Sequence, residues 1–388
     1  GHSELAAGAL VRSMFFALMS LIWGILTAVS GLIALKHGEK DTKAVSQILR
    51  DGVLLSVWLS VPAIIVLWYA APIFLLFGQN QAVVALAQDY LRALAWGILP
   101  DFLTLVLLQF IIGLGHARLN LIFTLLWVPI AIFLNYAFIF GKFGFPALGI
   151  AGIGWGVTAS YWLTGIGLII YLVKNKTYKE YLYFALSPSA NSYFKELLQI
   201  GLPMGVMYLL EVGFFFALTI MMGLIGEVQL AATQIVMQYL GLLTSVVFSI
   251  AAAVTIRMGH KIGEGDMVAA NSTNYAGIFL SVSFMTCIAF CYFFVPEWFI
   301  ALDLDVTDPK NALLIQYTKQ FFIACAIFQL FEAARITLFG SLRALKDTKF
   351  TLITSFIGFW LIALPVGYLL SYFGLQNTGL WWGMAIGA

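Results

Sequence analysis

The sequence predicts an all-α integral membrane protein built from two tandem-repeated six-helix bundles, with about ten complete transmembrane helices present. Three observations carry this. First, only 10% of the 388 residues are charged and 62% are hydrophobic, whereas a soluble domain carries about 25% charged residues. Second, apolar runs long enough to cross a bilayer, about 20 residues each, follow one another with short polar joints between them. Third, landmarks of the first half recur in the second at a fixed offset.

The runs are Leu5–Leu35, Val53–Phe77, Val84–Ile112, Leu121–Phe140, Ile150–Val173, Ile200–Gly223, Ala231–Met258, Ala276–Ile300, Leu313–Phe339 and Leu352–Tyr372, and a further run opens near Thr378. Pro62, Pro100, Pro129 and Pro365 fall inside runs, where a kink is tolerated if a neighbour takes up the freed carbonyl. The joints alternate in charge. Lys36, Lys40, Lys43, Arg50, Arg118, Lys174, Lys176, Lys179, Lys195, Arg257, Lys261, Arg343, Lys346 and Lys349 mark one side; the other holds Lys142 and Lys310, with Arg92 and Lys319 just inside their spans, and carries Glu227, Glu297, Asp303, Asp305 and Asp308. The positive-inside rule makes the first side cytoplasmic and suits a cell inner membrane.

The repeat is seen in Lys36–His37–Gly38–Glu39 with Asp41, echoed by His260–Lys261–Ile262–Gly263–Glu264 with Asp266. Gly113, Gly152 and Gly156 are answered by Gly340, Gly379 and Gly383. Two halves of the same orientation imply a pseudo-two-fold axis along the membrane normal. Residues 1–173 then form an N-terminal bundle without its first helix. Residues 174–199 form a cytoplasmic linker, with a turn at Ser187–Pro188–Ser189 and a short amphipathic helix over Ser192–Leu198. Residues 200–388 form a C-terminal bundle with its last helix cut short.

Glu211 stands near the middle of Ile200–Gly223, where an ionisable side chain costs a few kcal/mol (about 2.5–3.5 on insertion scales) and usually faces a cavity or a partner. Glu332 is a second acid inside a run, and Arg335 follows it at i+3, so the two can pair on one helix face. Alternatively, Arg335 snorkels to the headgroups. Asp101, after Pro100, is a candidate acid in the first half, close to a carbonyl that the proline frees. Gly149, Gly152, Gly154 and Gly156 have the spacing of close helix packing, not of a phosphate loop. Cys287, Cys291 and Cys325 read as buried free thiols, and Trp298, Trp381 and Trp382 as interface belts. No histidine cluster has metal-ligand spacing.

Four stretches together resemble the multidrug and toxin extrusion (MATE) transporters, nearest the bacterial NorM-type branch. They are GLPMGVMYLLEVGFF at Gly201–Phe215, LAATQIVMQ at Leu230–Gln238, GSLRALKDTKF at Gly340–Phe350 and FPALGIAGIGWGVTAS at Phe145–Ser160. The resemblance implies two six-helix bundles in a V around a central cavity, and export of cationic or amphipathic compounds by alternating access, driven by inward Na⁺ or H⁺. It places Glu211, Gln234 and Glu332 at the family's polar positions in the seventh, eighth and tenth helices, and Asn135 and Thr158 at those of the fifth and sixth. Phe328 stands where a Tyr is common and Ile112 where an acid is common, and the family's first-helix acid has no counterpart. Glu211 and Glu332 are the candidate Na⁺ or proton site. Asn135, Thr158 and Gln234 are either ligands or interhelical hydrogen bonds.

The expected partners are small cationic or amphipathic molecules and the lipid bilayer, with no nucleic acid, no cofactor beyond the coupling ion, and a monomeric state. A flippase for lipid-linked saccharides would want several basic residues in its cavity, and Arg335 and Arg12 are the candidates that the sequence offers. A membrane enzyme acting on lipids would want a cluster of His, Asp or Arg with metal or phosphate logic, which the sequence does not offer.

Overall fold

The architecture is known from a computed structural model that describes residues 2–76, 78–186, 191–306, 308–375 and 378–388. It divides into two units, Gly1–Gly205 and Val206–Ala388. Among the described residues nine helices are long and apolar enough to cross a membrane, or ten when one bent pair counts as a span, and there is no strand. Exposed Trp58, Leu125, Ile132, Phe216 and Phe279 give these helices the apolar outer surface that a lipid solvent requires.

In the first unit, α1 (His2–Leu26) and α2 (Ala28–Gly38) make one span interrupted at Thr27. Next come α3 (Thr42–Tyr69), the short α4 (Ile73–Leu76), α5 (Gln81–Ala95) and α6 (Ile98–Gly113), the last two bent by 44° at Trp96–Gly97. The carbonyl of Trp96, which Pro100 deprives of its helical donor, instead accepts from Trp162 Nε1 at 3.2 Å. Helices α7 (Ala117–Phe140) and α8 (Ala151–Lys174) pack together, with Gly152 and Gly156 of α8 against α7 and Gly154 against α5.

The linker contains α9 (Lys176–Leu186), which docks on this unit. Tyr178 Oη meets His116 Nδ1 at 2.8 Å, and burial pushes the phenol above the ordinary tyrosine range. The turn expected at Ser187–Pro188–Ser189 lies outside the described residues. The separate helix expected over Ser192–Leu198 does not form. Instead α10 (Phe194–Ile225) starts there and runs unbroken through Pro203. The reason is a cap from α3: Asp51 Oδ2 accepts from Tyr193 N at 2.6 Å and Ser192 Oγ at 3.0 Å, while Arg50 donates to Asn191 O at 2.9 Å.

The second unit continues with α11 (Glu227–Gly263), α12 (Met267–Phe294), α13 (Pro296–Ile300), a 3₁₀ turn (Pro309–Asn311), α14 (Ala312–Ala344) and α15 (Thr348–Ser355). Thereafter α16 (Leu364–Leu370) lies between two π-helical segments, Phe356–Ala363 and Ser371–Leu375, and α17 (Gly379–Gly387) follows. Pro365 cannot donate to the Leu361 carbonyl, and the turns before it widen. At the centre α14 packs on α11, α12 and α17. Two of the sequence readings need correcting here. Trp381 is no interface residue: it is fully buried, stacked on Phe321. Of the three free thiols, only Cys325 is buried and Cys287 is exposed.

The joints show the repeat at atomic detail. Lys36 pairs with Glu39 at 2.7 Å, and Lys261 with Glu264 at 2.7 Å. Asp41 caps α3 by accepting from Ala44 N at 2.9 Å, as Asp266 caps α12 by accepting from Ala269 N at 2.9 Å. The residue before each cap has positive φ, 59° at Lys40 and 81° at Gly265.

Candidate ion-coupling site

Three of the residues singled out in the sequence meet in the second unit. Glu211 lies midway along α10, and Glu332 and Arg335 lie on one face of α14. Arg335 takes Glu332 in a fork, Nε to Oε2 at 2.8 Å and Nη2 to Oε1 at 2.6 Å. Its remaining arm, Nη1, donates to Glu211 Oε1 at 2.8 Å and to Ser355 Oγ at 2.9 Å. Ser355 Oγ in turn lies 3.2 Å from Glu211 Oε1. The guanidinium is sandwiched by Phe339 and Phe359, at 4.8 and 4.7 Å from their ring centres. Arg335 therefore does not snorkel. Both carboxylates are buried, 8% exposed for Glu211 and 6% for Glu332, and a charge so placed is tolerated when paired and hydrogen-bonded.

The surrounding backbone holds this cluster in place. The π segment after Ser355 turns Phe359 onto Arg335 and Trp360 onto α10, where Trp360 Nε1 donates to Leu210 O at 3.0 Å. Ser355, Phe359 and Trp360 are absent from the sequence reading, because a lone serine or aromatic in an apolar run gives no cue. Arg335 and Ser355 also border a cavity of about 880 Å³ whose wall includes Phe331, Phe339, Phe350 and Phe359.

The other candidates stand apart from this cluster. Gln234, in the same unit, is exposed on α11. In the first unit, Thr158 Oγ1 donates to Ala93 O at 2.7 Å, an interhelical bond that seats α8 against the bend at Gly97. Asn135 presents a buried Oδ1 with no hydrogen-bond partner, pressed on Gly156, where a side chain larger than hydrogen would collide. Asp101 is buried and accepts from Trp23 Nε1 at 3.3 Å.

Arg335 holds both oxygens of Glu332 and one of Glu211, and its guanidinium fills the place between the carboxylates that a metal cation would take. Among the described residues no group of three or more His, Cys, Asp or Glu side chains could hold a metal ion.

A sequence model of the MatE family matches residues 1–137 and 203–369. The chain belongs to this family. A probable multidrug resistance protein NorM of Mesorhizobium japonicum is 33% identical over 391 residues, covering 100% of this chain and 84% of the relative. One of Pseudomonas putida is 32% identical over 386 residues, covering 99% and 83%. The fold matches that of a solved MATE in the bent conformation, with TM-score 0.90 at 21% identity, covering 100% of this chain and 84% of the other. It also matches the outward-facing conformation of a multidrug resistance MATE family transporter, with TM-score 0.85 at 21% identity, covering 100% and 85%. The chain is thus a multi-pass membrane protein of the MATE family, not an enzyme.

Proposed function

We propose that this MATE protein is a secondary active exporter of the inner membrane. It moves cationic or amphipathic small molecules outward by alternating access, in exchange for an inward cation. The observation that carries the reading is the buried Glu211–Arg335–Glu332 cluster. A membrane interior tolerates such a cluster at a cost, and charges kept there mark ion and substrate pathways. The NorM relatives support the multidrug class of cargo. The proton is the coupling ion that this donor set accommodates, because it needs one carboxylate oxygen and no coordination shell. Glu211 is the exchange group, since Oε2 accepts no hydrogen bond from the described residues. Glu332 has both oxygens committed to Arg335.

A saccharide flippase is disfavoured by the same geometry. The one arginine at the cluster is consumed by two carboxylates and offers no free charge to a diphosphate. The test is export of ethidium from proteoliposomes under an imposed pH gradient. The wild type should export, Glu211→Gln should not, and both should elute as folded monodisperse protein. Wild-type export rates in Glu211→Gln would show Glu211 to be merely structural.

A further inference from the structure

We propose that the groove between α11 and α12 seats an anionic phospholipid of the cytoplasmic leaflet, with its phosphate on Arg257 and an acyl chain along the apolar lining below. The groove is a cavity of about 760 Å³ bordered by these two helices of the second unit. Its end at the α11–α12 joint carries Arg257, Lys261 and Asp266, on the side that the lysine-rich joints make cytoplasmic. Deeper along the helices the lining turns to Ile250, Ala253, Gly277 and Leu280. From Asp266 to Leu280 the groove follows about 20 Å of helix, more than the hydrocarbon depth of one leaflet, about 15 Å. Of its charges, two are already engaged. Lys261 pairs with Glu264 at 2.7 Å, and Asp266 caps the start of α12 through Ala269 N. Arg257 is exposed and makes no hydrogen bond or ion pair with the described residues. It is the unengaged charge of the groove, and its planar fork matches a phosphate.

The repeat shows why this groove calls for an occupant. The offset that carries Asp41 to Asp266 also carries Val29 to Val254, Leu32 to Arg257, Asp51 to Ala276, Gly52 to Gly277 and Leu55 to Leu280. The packing keeps this register, since Gly52 lies against Val29 as Gly277 lies against Val254. In the first unit the corresponding groove is covered by protein. Asp51 accepts from Tyr193 N and Ser192 Oγ, Phe194 meets Trp58 edge-on with ring centres 6.4 Å apart, and Gly201 of α10 is seated on the backbone of Ile25. Leu32, Asp51 and Leu55 are accordingly 2% exposed or less. In the second unit their counterparts Arg257, Ala276 and Leu280 are all exposed. Where the first unit has a buried leucine under a protein cover, the second has an unpaired arginine at the mouth of an open apolar groove. A phospholipid answers both features, because its chain covers the apolar lining and its phosphate meets the arginine. Basic pockets between membrane helices on the cytoplasmic side bind anionic headgroups in this way. An anionic headgroup is preferred to a zwitterionic one, whose own ammonium offsets the phosphate. The site stands apart from the Glu211 cluster and does not rest on the exporter reading.

The experiment titrates the full chain in detergent with phosphatidylglycerol or phosphatidylcholine and counts retained lipids by native mass spectrometry. The wild type should hold one phosphatidylglycerol more tightly than any phosphatidylcholine. Arg257→Gln should weaken that phosphatidylglycerol about fivefold and remove the preference over phosphatidylcholine. Ala276→Phe, which fills the groove and leaves the charges alone, should lose the tightly held lipid. Lys349→Gln removes an exposed base on the same side, at another joint, and should bind as the wild type does. Arg257, Ala276 and Lys349 are all exposed, so each variant should keep the wild-type melting temperature in lipid-free detergent. Equal retention of the two lipids by the wild type overturns the proposal, as does wild-type retention of phosphatidylglycerol by Arg257→Gln or by Ala276→Phe. So does an equal loss in Lys349→Gln, which would mark a diffuse surface charge. Displacement of the lipid by millimolar inorganic phosphate would show an anion site without a chain groove, and a lipid-free dimer would show that a second copy covers the groove. Either result overturns the proposal.

Discussion

Stability and transport should rank the two buried acids in opposite order. Glu332 accepts two charge-assisted bonds from Arg335, at 2.8 and 2.6 Å, whereas Glu211 accepts one at 2.8 Å and a weaker contact from Ser355 at 3.2 Å. Hydrogen bonds to charged groups contribute about 1.5–3 kcal/mol each, and breaking one partner out of a buried pair costs about 3–5 kcal/mol. Glu332→Gln removes the charge that neutralises Arg335 and one arm of the fork, so it should cost about 3–5 kcal/mol. Glu211→Gln keeps an amide oxygen within reach of Nη1 and leaves the fork whole, so it should cost about 1.5–3 kcal/mol. Equilibrium unfolding in mixed micelles, followed by tryptophan fluorescence, measures both. A double-mutant cycle with Arg335→Gln isolates the pair terms, and the Arg335–Glu332 coupling should exceed the Arg335–Glu211 coupling. In transport the order inverts, with Glu211→Gln inert and Glu332→Gln retaining part of its activity. A Glu211→Gln variant at least as destabilised as Glu332→Gln would refute the assignment of Glu332 as the fixed partner and Glu211 as the free one.

Two further outcomes follow from the first unit and its linker. Asp51→Asn weakens the cap on α10, where the carboxylate accepts from Tyr193 N and Ser192 Oγ. It should cost about 1–3 kcal/mol and speed hydrogen exchange at the amides of the first turn of α10, and unchanged exchange there would show that the cap does not hold the helix start. Lys176→Cys, in α9, should react with an impermeant maleimide in inside-out vesicles and stay unlabelled on intact cells. Labelling from outside would reverse the orientation drawn from the lysine-rich joints.

The spans were legible because hydropathy and length decide them almost alone. Each of the ten expected runs meets a helix, or the bent pair, of the structure. What the sequence leaves undecided are choices made by residues far away in the chain. Trp381 reads as an interface residue from its position near a span end, yet it is buried because Phe321 of α14 stacks on it. The helix start at Phe194 depends on Asp51, 142 positions from its partner Tyr193. Arg335 is the clearest case. The i+3 spacing permits its pairing with Glu332, and the length of the side chain permits escape to the headgroups equally well. The balance is tipped by Glu211, 124 positions earlier, by Ser355, 20 positions later, and by the ring of Phe359. Once the second carboxylate is present, withdrawing the guanidinium would leave two buried negative charges facing each other, and pairing is the arrangement of lower energy. The acids that make the site costly are thus also what hold the arginine in it, which is why removing either acid should change the behaviour of the other.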